Sequence, residues 1–420
     1  MREVLRGTFQ AALAATDPGR LTARHLAGWS GPAPARLLAF GKAAGPMLGA
    51  ALERFPRTPA LGILPDDAAL PAAVAAAPHV HLLRAAHPLP DHRSVQAGQA
   101  ALAEAERLPA GGVWLVLVSG GGSALLSRPQ GVTLEDKAAV VRDLMHAGAD
   151  IHALNTVRKH LSGVKGGRLA QAALARGAAV QALLLSDVVG DDPAVIASGP
   201  TVPDPTTFAD ARAVLERFGV AAPEVARHLA RGEGGEVPDT PKALPGVTSR
   251  VIGSNRLLLD AAARHLHDLG YGVVDLGDGW TGEARDVAAQ HARIVQEHLN
   301  TDAPLALVSG GEATVTVRGP GVGGRNHEFA LALALHLGPT GVWGLSAGSD
   351  GLDGSSGAAG AILTPDTLAR AAALGLDAAA CLTRNDSGAF FAALGDGLVT
   401  GPTGQNLNDL RVLLVSPRRA

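Results

Sequence analysis

Twice in this chain an apolar run ends in the same small residues. Val113-Trp-Leu-Val-Leu-Val118 runs into Ser119-Gly-Gly-Gly-Ser123, and Leu305-Ala-Leu-Val308 runs into Ser309-Gly-Gly311. Neither run alternates with polar residues, so each reads as a strand buried on both faces, the pattern of a parallel sheet covered by helices. A strand that stops at glycine leaves backbone N–H groups unscreened by side chains, which suits an anion. The doubled run predicts two facing halves of one anionic site.

The surrounding chain supports an α/β reading. An amphipathic helix over about 2–16 precedes a strand at 36–40, which breaks at Gly41-Lys42-Ala43-Ala44-Gly45 and turns into a helix. Strands follow at 60–64 and 79–84, then a helix at 94–108, the first Ser-Gly-Gly strand, helices at 133–146 and 151–176, and a strand at 180–186. Residues 218–250 hold little that could build a core and read as the connection between domains. Two domains are predicted, 1–235 with a Rossmann-like, largely parallel sheet sandwiched by helices, and 245–420 with a mixed sheet. The mixture follows from Ala313-Thr-Val-Thr-Val-Arg318, whose alternation suggests an antiparallel strand.

Composition narrows the partners. The chain has 420 residues, more than one core usually supports; 47% are hydrophobic but only 3% aromatic, so the cores must be Ala, Val and Leu. A net charge of −3 with dispersed basic residues argues against nucleic-acid and membrane partners. The single cysteine, Cys381, excludes an internal disulfide and reads as a packed residue. The sequence shows no signal peptide and no membrane-spanning stretch, so a cytoplasmic protein is expected. Nothing fixes the number of copies, and a homodimer is compatible with the sequence.

Several segments carry chemistry. Three successive glycines between strand and helix weaken the backbone without an evident packing role, favouring anion binding at Ser119, Gly120, Gly121, Gly122 and Ser123. Lys42 follows a strand and a glycine, at the carboxyl edge where open α/β sheets bind ligands. Asp187, Asp191 and Asp192 share one strand-end loop and could hold Mg²⁺ beside phosphate. Arg158 and Lys165 are expected two turns apart on one helix, interrupted by Gly163, Gly166 and Gly167. Gly319-Pro-Gly-Val-Gly-Gly324 matches a dinucleotide fingerprint in letters, but Arg325 at the following helix start suits a carboxylate or phosphate better. His87 and His92 read as ordinary loop histidines. Gly-x-x-x-x-Gly-Lys-Ser/Thr and Cys/His metal spacings are missing.

Together these blocks resemble the class II glycerate kinases, the glycerate 2-kinase family whose C-terminal part is the MOFRL domain and some of whose members are labelled hydroxypyruvate reductase. The matching segments are Phe40-Gly-Lys-Ala, Val118-Ser-Gly-Gly-Gly-Ser, Leu154-Asn-Thr-Val-Arg-Lys, Lys165-Gly-Gly-Arg, Leu185-Ser-Asp-Val-Val-Gly-Asp, Ser309-Gly-Gly-Glu312, Gly323-Gly-Arg-Asn326, Asp350-Gly-Leu-Asp-Gly354 and Thr403-Gly-Gln-Asn-Leu-Asn-Asp-Leu410. The resemblance implies a site in the cleft between two α/β domains and transfer of the ATP γ-phosphoryl to the 2-hydroxyl of D-glycerate with Mg²⁺. Its active-site lysine and arginine fall on Lys42 and Arg325. His327, Ser254 and Gln405 stand where Gln, Asn and Thr are usual.

On that basis the loop from Ser119 to Ser123 and Lys159 are expected to hold nucleotide phosphates, with Ser254 and Asn255 also toward the nucleotide. Asp187 and Asp192 are expected at Mg²⁺. Arg325 would clamp the glycerate carboxylate, helped by Asn326 and Glu312. Lys42 would stabilise the transferring phosphoryl, and Asp187 is the first choice as base. The rivals are a nicotinamide-dependent hydroxypyruvate reductase and a non-catalytic sensor of a small anion.

Overall fold

The computed structural model describes residues 1–417, which divide into two compact units: 18–252, and 1–17 together with 253–417. In the first unit, β1 (Arg36–Phe40), β2 (Ala60–Pro65), β3 (Val80–Ala85), β4 (Val113–Val118), β5 (Ala179–Leu185) and β6 (Val247–Gly253) form one sheet in the order β3-β2-β1-β4-β5-β6. The pairings from β3 through to β5 are all parallel. Alternate strand residues feed two cores. Leu38, Phe40, Trp114, Val116 and Val118 meet Ala97, Ala101 and Ala105 of the helix His92–Glu106. Leu37, Ala39, Leu115 and Leu117 meet Met47, Leu48 and Ala51 of the helix Ala44–Arg54. That is the sandwich the unbroken apolar runs imply, with alanine-faced helices in place of aromatic filling.

Beside it, the helices Leu134–His146, Ile151–His160, Phe208–Arg217 and Pro223–Glu233 share a separate core. The last of these corrects the expected connection. Val225, His228 and Leu229 of Pro223–Glu233 are buried, and β6 closes the edge of the first sheet, although residues from 245 on were expected in the second domain.

In the second unit, β7 (Gly272–Asp275), β8 (Trp280–Glu283), β9 (Leu305–Thr314), β10 (Trp343–Gly348), β11 (Gly360–Leu363), β12 (Gly397–Leu398) and β13 (Asp409–Val415) build a mixed sheet, ordered β12-β11-β10-β13-β9-β7 with β8 also beside β9. β9 is antiparallel to β13 and parallel to β7 and β8. The antiparallel component comes from β10 to β13, since residues 315–318 lie outside any strand. The opening helix Arg2–Ala15 falls in this compact unit, whereas the first domain was expected to count from residue 1. Its Leu5, Phe9 and Ala12 recur at i, i+4 and i+7 and pack on Leu258, Leu259, Ala262 and Leu266. Among the described residues no helix is long and apolar enough to cross a membrane.

His291, on the helix Ala284–Glu297, couples this unit to pH. Its Nδ1 faces the Val287 carbonyl at 2.8 Å and so must carry the proton, leaving Nε2 to accept from the Ser309 hydroxyl at 2.8 Å. Burial, then the charge of Arg411, lowers its pKa to about 4. A histidine depressed on folding takes up a proton more readily when unfolded, so its stabilisation is complete above pH 6.5 and is lost as pH falls toward 4. The gap is worth about 3 kcal/mol. Urea titrations of an H291Q variant between pH 7 and pH 4 are expected to show a shallower loss of stability than the parent; equal slopes would show that His291 contributes nothing to it.

Candidate active site

The first unit gathers residues at one place on its sheet. In the order β3-β2-β1-β4-β5-β6 the chain leaves β1 to one side and β4 to the other, so the crevice beyond the carboxyl ends of these two strands is the switch point where open α/β sheets bind ligands. The turns following both strands are stitched together there. The Lys42 amide donates to the Gly120 carbonyl at 2.8 Å, the Ala43 amide to the Ser119 hydroxyl at 3.0 Å, and the Ser119 amide to the Phe40 carbonyl at 3.1 Å. Asp187 arrives from the end of β5 and His87 from the end of β3.

The three glycines have a packing role after all. A Cβ on Gly120 would run into the Asp187 carboxylate, one on Gly121 would lie 2.9 Å from the His87 ring and 3.4 Å from Cγ of Lys42, and one on Gly122 would press on Phe40 and Ala197. Gly121 also holds a left-handed φ of 81°. The glycines let an acid, a base and a cation converge on one stretch of backbone. The helix that follows is only Gly122–Leu125. Burial, then the neighbouring Lys42 charge, lowers the His87 pKa, so its imidazole is neutral at pH 7. His87 was missed in the sequence because only the strand order brings it to this edge.

Other expected ligands are engaged elsewhere. Lys159 is buried and paired with the fully buried Asp204 at 3.3 Å, which corrects its assignment to the nucleotide. The Asp192 carboxylate accepts from the Ala194 amide at 2.8 Å as a local turn cap, which argues against a metal role. The Ser123 hydroxyl shares a hydrogen bond with Ser198 at 2.8 Å. The expected long helix over 151–176 is broken after His160 and resumes at Arg168, with Gly166 and Gly167 at positive φ between.

The second unit holds a different cluster. Arg325 begins the helix Arg325–Leu337, and its Nε donates to both carboxylate oxygens of the buried Asp409 at 2.9 and 3.0 Å, while Nη1 reaches Glu312 at 3.2 Å. Burial works against the Arg325 charge, but Asp409 and Glu312 outweigh it and hold the guanidinium protonated. Asp409 also accepts from Asn326 Nδ2 at 2.9 Å and from Nη2 of the fully buried Arg411 at 3.0 Å. Asp353 accepts from the backbone amides of Asn326 and His327 and meets the His327 Nδ1 at 2.6 Å. Burial alone would push the Asp353 carboxyl up; the His327 contact and those amides hold it below the ordinary value. The unusual His327 is thus an anchor of the helix start.

The second Ser-Gly-Gly is not an open anion loop. β9 runs straight through it, the Gly310 amide donates to the Gly277 carbonyl at 2.9 Å, and the Gly311 amide to Asn255 Oδ1 at 3.0 Å. Asn255 Nδ2 in turn donates to the carbonyls of Leu407 and Asp409, so both amide hydrogens of this side chain are spent tying backbone together and none is left to donate to a phosphate. Ser254 is buried beside it. The glycines of 319–324 pack on Arg384, Asp386, Ser387 and Asp353, leaving no bare cradle for a dinucleotide.

Two family models match: the domain of unknown function DUF4147 over residues 4–230, and the MOFRL family over 305–409. A crystal structure of glycerate kinase from Thermotoga maritima superposes with a TM-score of 0.89 at 35% identity, covering 98% of this chain and 99% of that one. The glycerate 2-kinase of Pyrococcus horikoshii is 39% identical over 350 residues, 81% of this chain and 79% of its own length. A protein of Agrobacterium vitis under a hydroxypyruvate reductase name is 41% identical over 428 residues, 99% of this chain and 94% of its own.

Proposed function

The chain belongs to the family that joins a DUF4147 domain to a MOFRL domain and whose relatives are named glycerate kinases, and on that premise we propose that it transfers the γ-phosphoryl group of ATP to the 2-hydroxyl of D-glycerate. The observation that carries this reading is the convergence of Lys42, the Gly120–Gly122 backbone and Asp187 at the switch point of the first sheet. Phosphoryl transfer asks a protein mainly for positioning and charge neutralisation, and a cation, a backbone cradle and a carboxylate supply both.

In this reading the glycerate hydroxyl oxygen attacks the γ-phosphorus, the bond to the β–γ bridging oxygen breaks, and the hydroxyl proton passes to a base. Asp187 serves as that base, or shares the role with the neutral His87. Lys42 sits against the charge that builds on the transferring group. Among the described residues no group of three or more His, Cys, Asp or Glu is poised for a metal, and Asp187 fits an ion that takes one carboxylate and draws its other ligands from phosphate and water. Mg²⁺ bound there would neutralise phosphate charge. Arg325 would take the glycerate carboxylate on the part of its fork that Asp409 does not occupy, with Glu312 standing where that carboxylate would bind.

The test is ADP release on mixing the protein with D-glycerate and Mg²⁺-ATP, with NMR of the product to identify the phosphorylated hydroxyl. Oxidation of NADH or NADPH by hydroxypyruvate without ADP formation would instead establish the reductase. The clamp has its own check. Arg325→Lys keeps the charge but cannot hold Asp409 and a substrate carboxylate together, so the glycerate KM is expected to rise about tenfold or more with the ATP KM little changed. An unchanged glycerate KM would remove Arg325 from the clamp.

A further inference from the structure

The first unit contains three basic side chains for which the described residues provide no acid. Lys165, in the loop after the helix Ile151–His160, is buried and points its ammonium at carbonyl oxygens only: Ser123 at 2.9 Å, Leu126 at 3.4 Å and Ala197 at 3.5 Å. Lys137, the fourth residue of the helix Leu134–His146, is buried and its Nζ has no hydrogen-bond partner. Arg158 is half-buried on the helix Ile151–His160 and makes no hydrogen bond or ion pair among the described residues.

The three act on one another. Burial and then Arg158 lower the Lys137 pKa to about 7, and burial and then Lys137 and Arg158 hold Lys165 well below the ordinary lysine value. Among the described residues no carboxylate offsets any of them. The contrast lies one residue away, where Lys159 is matched by Asp204 and His160 by Asp239 at 3.0 Å. Unpaired buried cations cost several kcal/mol each, a large part of the stability of an ordinary domain. A further donor is orphaned nearby: the buried Asn155 Nδ2 has no partner, while its Oδ1 accepts from Ser198, which is bonded to Ser123, whose carbonyl takes Lys165.

We propose that Lys137, Arg158, Lys165 and Asn155 form the receptor for the phosphate chain of the nucleotide, continuous through Ser123 with the glycine loop. The assignment rests on the kinase reading. A phosphate chain carries several negative charges and many acceptor oxygens, which is what three cations and an amide donor lack, and a single carboxylate could not satisfy them all. It moves the cationic role from Lys159 to its neighbour Arg158, about 100° further round the helix.

Calorimetric titration of the full chain with ADP, tripolyphosphate and inorganic phosphate, without glycerate, tests it. The parent is expected to bind ADP and tripolyphosphate, and K137M and R158Q each to weaken both by tenfold or more. K137M is expected to melt no lower than the parent, because it removes a buried cation without a partner. Arg158 is half-buried, so R158Q keeps the test valid should K137M fail to fold. Parental affinity for ADP and tripolyphosphate in R158Q overturns the proposal, as does a parent that binds no tripolyphosphate. Loss of inorganic phosphate binding with ADP binding retained points to a separate oxyanion site and overturns the nucleotide assignment. Glycerate-dependent ADP formation by the same parent preparation is scored separately: its absence removes the kinase reading, while variant-sensitive tripolyphosphate binding would still locate the oxyanion receptor.

Discussion

Lys42→Met is expected to lower kcat/KM for glycerate-dependent ADP formation by about 10³-fold, roughly 4 kcal/mol of transition-state stabilisation, with the fold intact. The backbone of the Lys42 turn is fixed by bonds that the substitution leaves alone, the amides of Lys42 and Ala43 donating to Gly120 and Ser119. Methionine matches the length and flexibility of the lysine stem, whose Cγ lies toward Gly121, so what disappears is the ammonium whose charge acts on His87. Steady-state kinetics should show the loss mainly in kcat, with a melting temperature close to the parent's. A variant keeping more than a tenth of the parental kcat would mean that Lys42 does not face the transferring group.

Asp409→Asn is expected to be the most destabilising conservative change in the second unit, by about 3–5 kcal/mol. The side chain keeps its shape, but one buried carboxylate answers Arg325, Arg411 and Asn326 at once. Arg411 is fully buried in β13, its guanidinium 5.0 Å from the Phe329 ring centroid, and an amide leaves its charge with Asp353 alone to offset it. For a domain of this size the loss corresponds to a melting temperature lower by roughly 10 °C. The glycerate KM should rise as well, because Asp409 aims the Arg325 fork. Calorimetry showing a loss below 1 kcal/mol would mean that Arg411 finds its compensation in the Gly310 carbonyl, 2.9 Å from its Nη1.

What could be read from the sequence was local. Val113–Val118 declares a doubly covered strand by its unbroken apolar run, and the Gly41-Lys42 turn declares a strand end. What could not be read depends on partners far along the chain. Lys159 looked available until the fold brought Asp204 to it, and Asn255 until the fold set it between Gly311 and Leu407. The two identical Leu-Val-Ser-Gly-Gly segments behave differently for the same reason. After β4 the chain leaves the sheet, whereas β9 is gripped by β13 on one side and by β7 and β8 on the other, and continues as strand to Thr314. His87 and Lys137 carry no motif: strand order brings the first to the sheet edge, and helix packing sets the second beside Arg158 and Lys165, whose blocks the sequence did show.

The helix Arg2–Ala15 is made before the whole of the first unit, yet the surface it covers, Leu258 to Leu266, is made only after that unit. At about 5–20 residues per second that delay is of the order of ten seconds or more, during which Leu5 and Phe9 have no native partner. The first unit is in effect an insertion in the second, joined to it by two covalent connections, near residues 17 and 252. Dividing the gene at a single junction therefore cannot yield two self-sufficient pieces: a product starting at Gly253 lacks one of its own core helices, and one ending at Ile252 carries an apolar helix belonging to the other.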